Sequence, residues 1–469
     1  MEFIKKKCKY FAQSYIRKGG IFMEKNIKIV LVGGGSVNWS PKLINDLLLT
    51  PGLENVDYCI HDLDREAGEK MVRFGQQLSL SRGLECKFDF AIEQKDAFME
   101  ADFVIITIST GDLDAMEHDL KIPQDYGIYQ TVGDTVGPGG WARGLRNIPV
   151  FAQMSKNIEK YSPNAVVLNY TNPLSVLTNV FYKTTKLKTV GLCHGLFEVY
   201  DILIKIFDLA GEEEINVNFG GINHFFWLLD MKIRGEDGYE LLKRKMNGRH
   251  FYELIKEIHT DSAGFSSNKY VCSELLEYFG YLPYVGDRHI SEFIPNYLTG
   301  VESKLEKYKL KRTFIEERRA DKQRGREKLD AYIKGESKIE DKRSRETAAD
   351  IISSFVNGKE FIDVVNLPNI GQISNLPLGS IVETLGVINS RGFTPLSVGN
   401  LPDQILNLVL PHARNQDMII EAGLEGNLGK AFSALYNDPL CAHLTYPEIK
   451  EMGMKLLKAH SEFLPQFEL

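Results

Sequence analysis

Residues 27–48 read IKIVLVGGGSVNWSPKLINDLL, and the reading of this stretch decides the fold. Ile27 to Val32 is a short aliphatic run suited to a strand buried on both faces. It breaks into Gly33, Gly34, Gly35 and Ser36, then resumes as an amphipathic segment in which Ile44, Leu47 and Leu48 share one helical face. Strand, glycine turn and helix in this order let backbone approach a pyrophosphate closely while helix N-terminal amides face its charge. Gly33, Gly34, Gly35 and Ser36 are therefore the expected dinucleotide-binding residues, although Asn38 stands where the usual third glycine would be.

Outward from this turn, VDYCI ends at His61 and Asp62, and FVIITI covers Phe103 to Ile108. A carboxylate at Asp62 would accept from ribose hydroxyls and repel a 2′-phosphate, which favours NAD over NADP. Further strands are expected at Ala165 to Leu168 and Thr189 to Leu192. Strands alternating with helical pattern predict a Rossmann-like, doubly wound parallel α/β domain over 23–195. Beyond it, longer helices such as FEVYDILIKIFDL and strands near 217–220 and 227–233 predict a second, mixed α+β domain over 196–469, an arrangement of the lactate/malate dehydrogenase kind.

Composition narrows the partners. The 469 residues are 43% hydrophobic and 25% charged, an ordinary globular balance. Lys and Arg total 56 against 63 Asp and Glu, for a net charge of −7, so no cationic field exists to gather nucleic acid or anionic lipid. The mixed-sign stretch 303–349 reads as solvent-exposed helices. Six scattered cysteines suggest a reducing compartment, and no apolar run reaches the roughly 18 residues of a membrane span, so a cytoplasmic protein is expected. Residues 1–22 precede a second methionine, Met23, and read as an N-terminal extension apart from the fold.

Three polar patterns each follow an expected strand: Asn169-Tyr-Thr-Asn172-Pro173, Gly191-Leu-Cys193-His194-Gly195 and Gly221-Ile-Asn223-His224. Strand ends meet in the ligand crevice of such sheets, so these residues have the opportunity to converge there. Cys193 and His224 are too far apart for a zinc finger, yet a thiolate and an imidazole suit an open divalent site; taken alone, a cysteine near a strand end is more often core.

With VGGGS at 32–36, DTVGPGG at 134–140, NYTNP at 169–173, CHG at 193–195, GINH at 221–224 and VVNLPNIGQISNLP at 364–377, the chain from Ile27 onward resembles glycoside hydrolase family 4, the NAD- and metal-dependent glycosidases. The resemblance implies that Cys193 and His224 ligate a divalent metal, usually Mn2+. It implies hydride removal from sugar carbon 3 by NAD, deprotonation at carbon 2, elimination of the aglycone, water addition and hydride return. For the base it points to the segment GYLPYVGDRHISEF at 280–293, in which Asp287 is chosen, with Tyr281 and Tyr284 as alternatives. Asp134 is placed as acid or orienting residue and His194 as acid; the plain structural alternatives are a helix cap for Asp134 and a backbone hydrogen bond for His194. Asn172, implied for both cofactor and sugar, and Asn223 complete the site.

Cys193-His194-Gly195 resembles the α-glucuronidase branch, whereas Cys-His-Glu goes with α-galacturonidases and Cys-His-Ser with neutral α-glucosides or α-galactosides. A uronic acid calls for a guanidinium, and Arg143, Arg146 and Arg288 are the candidates. The resemblance also implies a homodimer or homotetramer, with 303–349 or the C-terminal helix around Leu456 as contact surfaces. A glycoside is thus the expected small-molecule partner, with neither nucleic acid nor membrane. The rival readings are an NAD-dependent 2-hydroxyacid dehydrogenase and a nucleotide-binding module without chemistry.

Overall fold

The computed structural model describes residues 14–18, 21–258 and 269–469. Of the expected extension 1–22, residues 1–13 and 19–20 lie outside the described residues; Ser14–Lys18 pairs antiparallel with Ile21–Lys25 in a two-stranded ribbon.

The parallel half of the main sheet comprises β1 (Ile27–Val32), β2 (Val56–His61), β3 (Lys87–Ala91), β4 (Phe103–Ile106), β5 (Val166–Asn169) and β6 (Lys188–Gly191). Their spatial order, β3-β2-β1-β4-β5-β6, reverses direction between β1 and β4, which is where open α/β sheets place their ligand crevice. Alternate residues of one strand feed different cores: Val30 and Val32 pack with Val104 and Ile106 on one face, Ile29 and Leu31 with Phe103 and Ile105 on the other. Covering both faces explains why these strands read as unbroken aliphatic runs. The helices are α1 (Ser40–Leu48), α2 (Arg65–Ser81), α3 (Asp112–Gln124), α4 (Gly137–Tyr161), α5 (Leu174–Thr184) and α6 (Gly195–Phe207).

The sheet does not stop at β6. The chain continues through β7 (Ile215–Ile222), β8 (Phe225–Ile233), β9 (Glu236–Asp237), β10 (Phe361–Pro368), β11 (Ile381–Asn389) and β12 (Gly392–Pro395). β10 joins β6 antiparallel through Asn366 and Gly191, and β11 joins β7 through Glu383 and Gly221, so the order runs on as β6-β10-β11-β7-β8-β9. The polar tips of β6 and of the β7–β8 hairpin thereby approach from neighbouring positions. Three further helices matter below: α7 (Tyr270–Phe279), α8 (Ile315–Ile333) and the C-terminal α9 (Tyr446–Ala459), whose Ile449, Met452, Leu456 and Leu457 lie in the core. Among the described residues no helix is long and apolar enough to cross a membrane, and Cys59, Cys86, Cys193, Cys272 and Cys441 are free thiols.

One buried polar knot ties α3, α4 and the C-terminal segment together. Arg146 Nη1 and Nη2 donate to Asp119 Oδ1 and Oδ2 at 2.8 and 2.6 Å, and His460 Nε2 lies 2.9 Å from Oδ1. Both partners of the ion pair are fully buried. Replacing Arg146 by Met would leave the Asp119 charge without its fork, and a loss of about 3–5 kcal/mol is expected. The check is the midpoint of chemical unfolding, which an unimportant pair would leave unchanged.

Candidate active site

A single cavity of about 1100 Å³ runs from the glycine turn after β1 to the tips of β6 and the β7–β8 hairpin. At its first end, Gly33 and Gly34 donate their amides to the His61 carbonyl at 3.0 and 3.1 Å, which folds the turn against the end of β2. Gly33 has φ +74°, and a Cβ there would meet the Thr107 carbonyl oxygen at 2.5 Å, so side chains are excluded on two grounds. Asp62 braces the turn: Oδ2 accepts from the Gly35 amide at 2.8 Å and Oδ1 from the Asp64 amide at 2.9 Å. Gly33, Gly35, Ser36 and Asp62 line the cavity, whereas Gly34 packs toward Ile60 and Leu31. The cradle fits a dinucleotide: a bare backbone turn, the start of α1 and a ribose-side carboxylate.

At the other end Asp134, His224 and His289 each offer a ligand atom within 4.8 Å of the other two. The imidazole centroids are 4.0 Å apart. Asp134 comes from the loop before α4, His224 from the tip of the β7–β8 hairpin at φ +63°, and His289 from the short helix Asp287–Ile290. Left-handed backbone at a residue other than glycine is costly and is retained here at a convergence of polar groups.

Thr135 settles the histidine tautomer. Its one hydroxyl proton goes to Asp134 Oδ1 at 2.7 Å, so its oxygen accepts from His224 Nδ1 at 3.0 Å. Nε2 of His224 is left with its lone pair, the arrangement by which an outer hydrogen bond orients a metal-binding imidazole. Burial, joined by their mutual proximity, holds His224 well below its ordinary value, and burial chiefly holds His289 down to about 4. Burial alone would raise Asp134, but His289, Arg143, His224 and the Thr135 hydroxyl outweigh it and keep the carboxyl at about 2. One carboxylate and two neutral imidazoles at neutral pH form a donor set suited to a divalent cation.

Cys193 lines the same cavity but stands outside that tight trio. Burial, then the Glu383 carboxyl, pushes its thiol well up, while the Asn223 side chain hydrogen-bonds to it. Asn223 and Asn366 each donate to Glu383 Oε2 at 2.9 Å, and burial raises Glu383 to about 7. Tyr284 also faces the cavity, its ring stacked 5.9 Å from His224 and its hydroxyl hydrogen-bonded to Glu198.

The remaining expected residues divide sharply. Asn172, Asn223, Arg143 and His194 line the cavity; Asn172 donates to Asp134 Oδ2 at 3.3 Å, and its carbonyl accepts from Arg143 Nε at 3.0 Å. Asp287 does not line it: the carboxylate accepts from the Val271 and Cys272 amides at 3.0 Å, an anion at the N-terminus of α7, which corrects its choice as base. Tyr281 is likewise not a lining residue. Arg146 is committed to Asp119, and Arg288 donates to the Thr131 carbonyl and to Thr313 Oγ1, so neither of these two is a sugar-facing guanidinium. The stretch 303–349 needs a second correction: Arg318, Lys322 and Arg326 of α8 line the cavity, so this helix is not simply solvated. His289, which the sequence reading does not single out, lies two residues from Asp287, and residues two apart on a helix face nearly opposite ways.

Comparison with known proteins adds the lineage. Residues 28–209 match the model of family 4 glycosyl hydrolases, and residues 219–441 match the model of their C-terminal domain. An alpha-galacturonidase of Bacillus subtilis is 37% identical over 424 residues, covering 88% of this chain and 93% of its own. The solved structure of lplD from Bacillus subtilis, provisionally assigned as a glucosidase, superposes with a TM-score of 0.84 at 34% identity, covering 92% of this chain and all 100% of that one. A 6-phospho-beta glucosidase from Thermotoga maritima, solved with manganese, NAD+ and glucose-6-phosphate, gives a TM-score of 0.76 at 22% identity over 93% of this chain and 99% of that one.

Because Thr135 orients both Asp134 and His224, Thr135→Val is expected to weaken Mn2+ binding by about 10–100-fold. Free Mn2+ measured by electron paramagnetic resonance reads this directly. Wild-type affinity in the variant would show that the hydroxyl orients nothing that matters.

Proposed function

The chain belongs to glycosyl hydrolase family 4, and from that premise we propose that it cleaves α-galacturonides with NAD and a divalent metal, usually Mn2+, as cofactors. The supporting observation is the continuity of one cavity between the glycine turn and the Asp134, His224 and His289 cluster, so that one sugar ring has room to touch both ends. The family relatives favour galacturonide over the glucuronide that Cys193-His194-Gly195 suggests; the two sugars differ in configuration at carbon 4.

Bound NAD supplies hydride removal and return at sugar carbon 3, and a bound divalent ion supplies Lewis-acid polarisation of neighbouring hydroxyls. Gly33, Gly35, Ser36 and Asp62 hold the dinucleotide. His224 through Nε2, Asp134, His289 and, as the resemblance implies, Cys193 are the groups for the ion; the Cys193 thiol must lose its proton to serve. Tyr284 takes the place of Asp287 as proton acceptor. Its hydroxyl is kept protonated by burial and by Glu198, so it acts as a relay: Oη receives the carbon 2 proton as its own proton passes to the Glu198 carboxylate. Asp134, ionised well below neutral pH, has no proton to give and orients instead. His194, whose side chain is 44% exposed at the cavity and lies 3.9 Å from Glu346, is the better-placed donor to the departing oxygen.

Two measurements test this reading. Aryl α-galacturonide should be hydrolysed with NAD+, Mn2+ and thiol present, activity should vanish on chelation and return with Mn2+, and NAD+ should not be consumed. Stoichiometric NADH formation without glycoside cleavage would instead establish a dehydrogenase. Tyr284→Phe should lower kcat by about 10²–10⁴-fold with Mn2+ affinity retained; unchanged kcat would remove Tyr284 from proton transfer.

A further inference from the structure

One wall of the cavity comes from the very end of the chain. After α9 the backbone turns at His460 into a single helical turn, Ser461–Phe463, and the partly exposed Phe463 lines the cavity. Its ring lies against the segment that leaves β4: a Cβ on Gly111, at φ +78°, would meet Phe463 Cε2 at 2.8 Å. Residues 107–112 all line the cavity, and the Thr107 carbonyl closes on Gly33. This segment therefore begins against the glycine turn and ends at the Phe463 ring. β1 and β4 flank the point where strand order reverses, so the glycine turn and residues 107–112 are opposing lips of the crevice that holds a dinucleotide in such sheets.

Phe463 is fixed to this lip by more than its own contact. Arg146, whose Nη groups pair with Asp119, also donates Nε to the Thr110 carbonyl at 2.9 Å, and Asn147 Oδ1 accepts from the Thr110 hydroxyl at 2.7 Å. On the other side of Asp119 stands His460 Nε2 at 2.9 Å, and the Phe463 amide donates to the His460 carbonyl at 2.8 Å. A chain of polar contacts thus leaves the cavity at Thr110, passes through Arg146, Asp119 and His460, and returns to the cavity at Phe463. Beyond the ring, Leu464 and Phe467 enter the core and Gln466 Nε2 donates to the Leu145 carbonyl at 3.0 Å, so the segment is fastened on both sides of Phe463. A ring held this way is ordered before any ligand arrives, which lowers the cost of binding against it. Val150 and Met154, one and two turns beyond Arg146 on α4, line the same cavity and with Phe463 supply apolar surface of the kind that a base or ribose face packs on. The match to the family's C-terminal domain ends at residue 441, so this wall lies outside the stretch that defines the family.

We propose that the C-terminal segment completes the dinucleotide site and that Phe463 is a cofactor-contacting residue, its ring packing against bound NAD. This rests on the NAD reading given above and not on the choice of sugar, since NAD+ binding needs no glycoside. The test is calorimetric titration of the full-length, nucleotide-free protein with NAD+ in wild type, Phe463→Ala and Phe463→Tyr. Phe463→Ala is expected to raise the Kd for NAD+ by about 5–30-fold, as for loss of a partly buried aromatic contact, and Phe463→Tyr to stay within about threefold of wild type. Mn2+ affinity, read by electron paramagnetic resonance, should be unchanged, which separates a lost contact from a collapsed site. Wild-type NAD+ affinity in Phe463→Ala overturns the proposal, and so does a variant in which only the KM for the glycoside rises, because the ring would then face the departing group. Wild type that binds no NAD+ removes the cofactor and this wall together. Should Phe463→Ala not fold, hydrogen exchange in wild type decides: NAD+ should slow exchange of the Phe463 and Leu464 amides, and exchange there that is indifferent to NAD+ overturns the contact.

Discussion

The hydroxyl proton of Thr135 is the smallest part of the site and the one on which its organisation turns. Given to Asp134, it obliges the same oxygen to accept from His224, so a carboxylate and an imidazole from distant parts of the chain are oriented by one side chain. The loop that carries it is fixed from beneath. Glu292 Oε1 accepts from the Val132 and Gly133 amides at 2.7 and 2.9 Å, and burial lifts that carboxyl to about 7. A buried acid satisfied by backbone amides anchors a loop without placing a competing group in the cavity.

Sheet topology supplies the other half of the geometry. Reversal of strand order between β1 and β4 opens the crevice in which the glycine turn lies, while the antiparallel extension through β10 and β11 brings the β7–β8 hairpin next to β6. Cys193 and His224 share a wall for this reason, though 31 residues of chain separate them. Continuity of the sheet across residue 195 also means that the two halves share cores: Leu329 and Val365 pack with β1 and β2 residues.

The fold was legible where one physical rule dominates. Aliphatic strands covered on both faces and glycines demanded by close approach announce themselves in any window, and the glycine turn and five of the six parallel strands lie at or within a few residues of their expected positions, whereas the edge strand β3, KFDFA, carries no such aliphatic run. The site was legible only in part, because charged residues obey several rules at once. Asp287 has the chemistry of a base, yet its carboxylate faces the amides of α7, a partner with no local signature. Arg146 and Arg318 look alike in sequence; one is buried against Asp119, 27 residues earlier, and the other lines the cavity from a helix whose composition suggests solvent on every side.

That helix also constrains the cavity mechanically. α8 touches the segment after the glycine turn through Gly325 and lines the cavity through Arg318, two turns apart on one rigid rod. The two contacts therefore cannot shift independently without bending the helix or breaking its end anchors at Ile315 and Leu329.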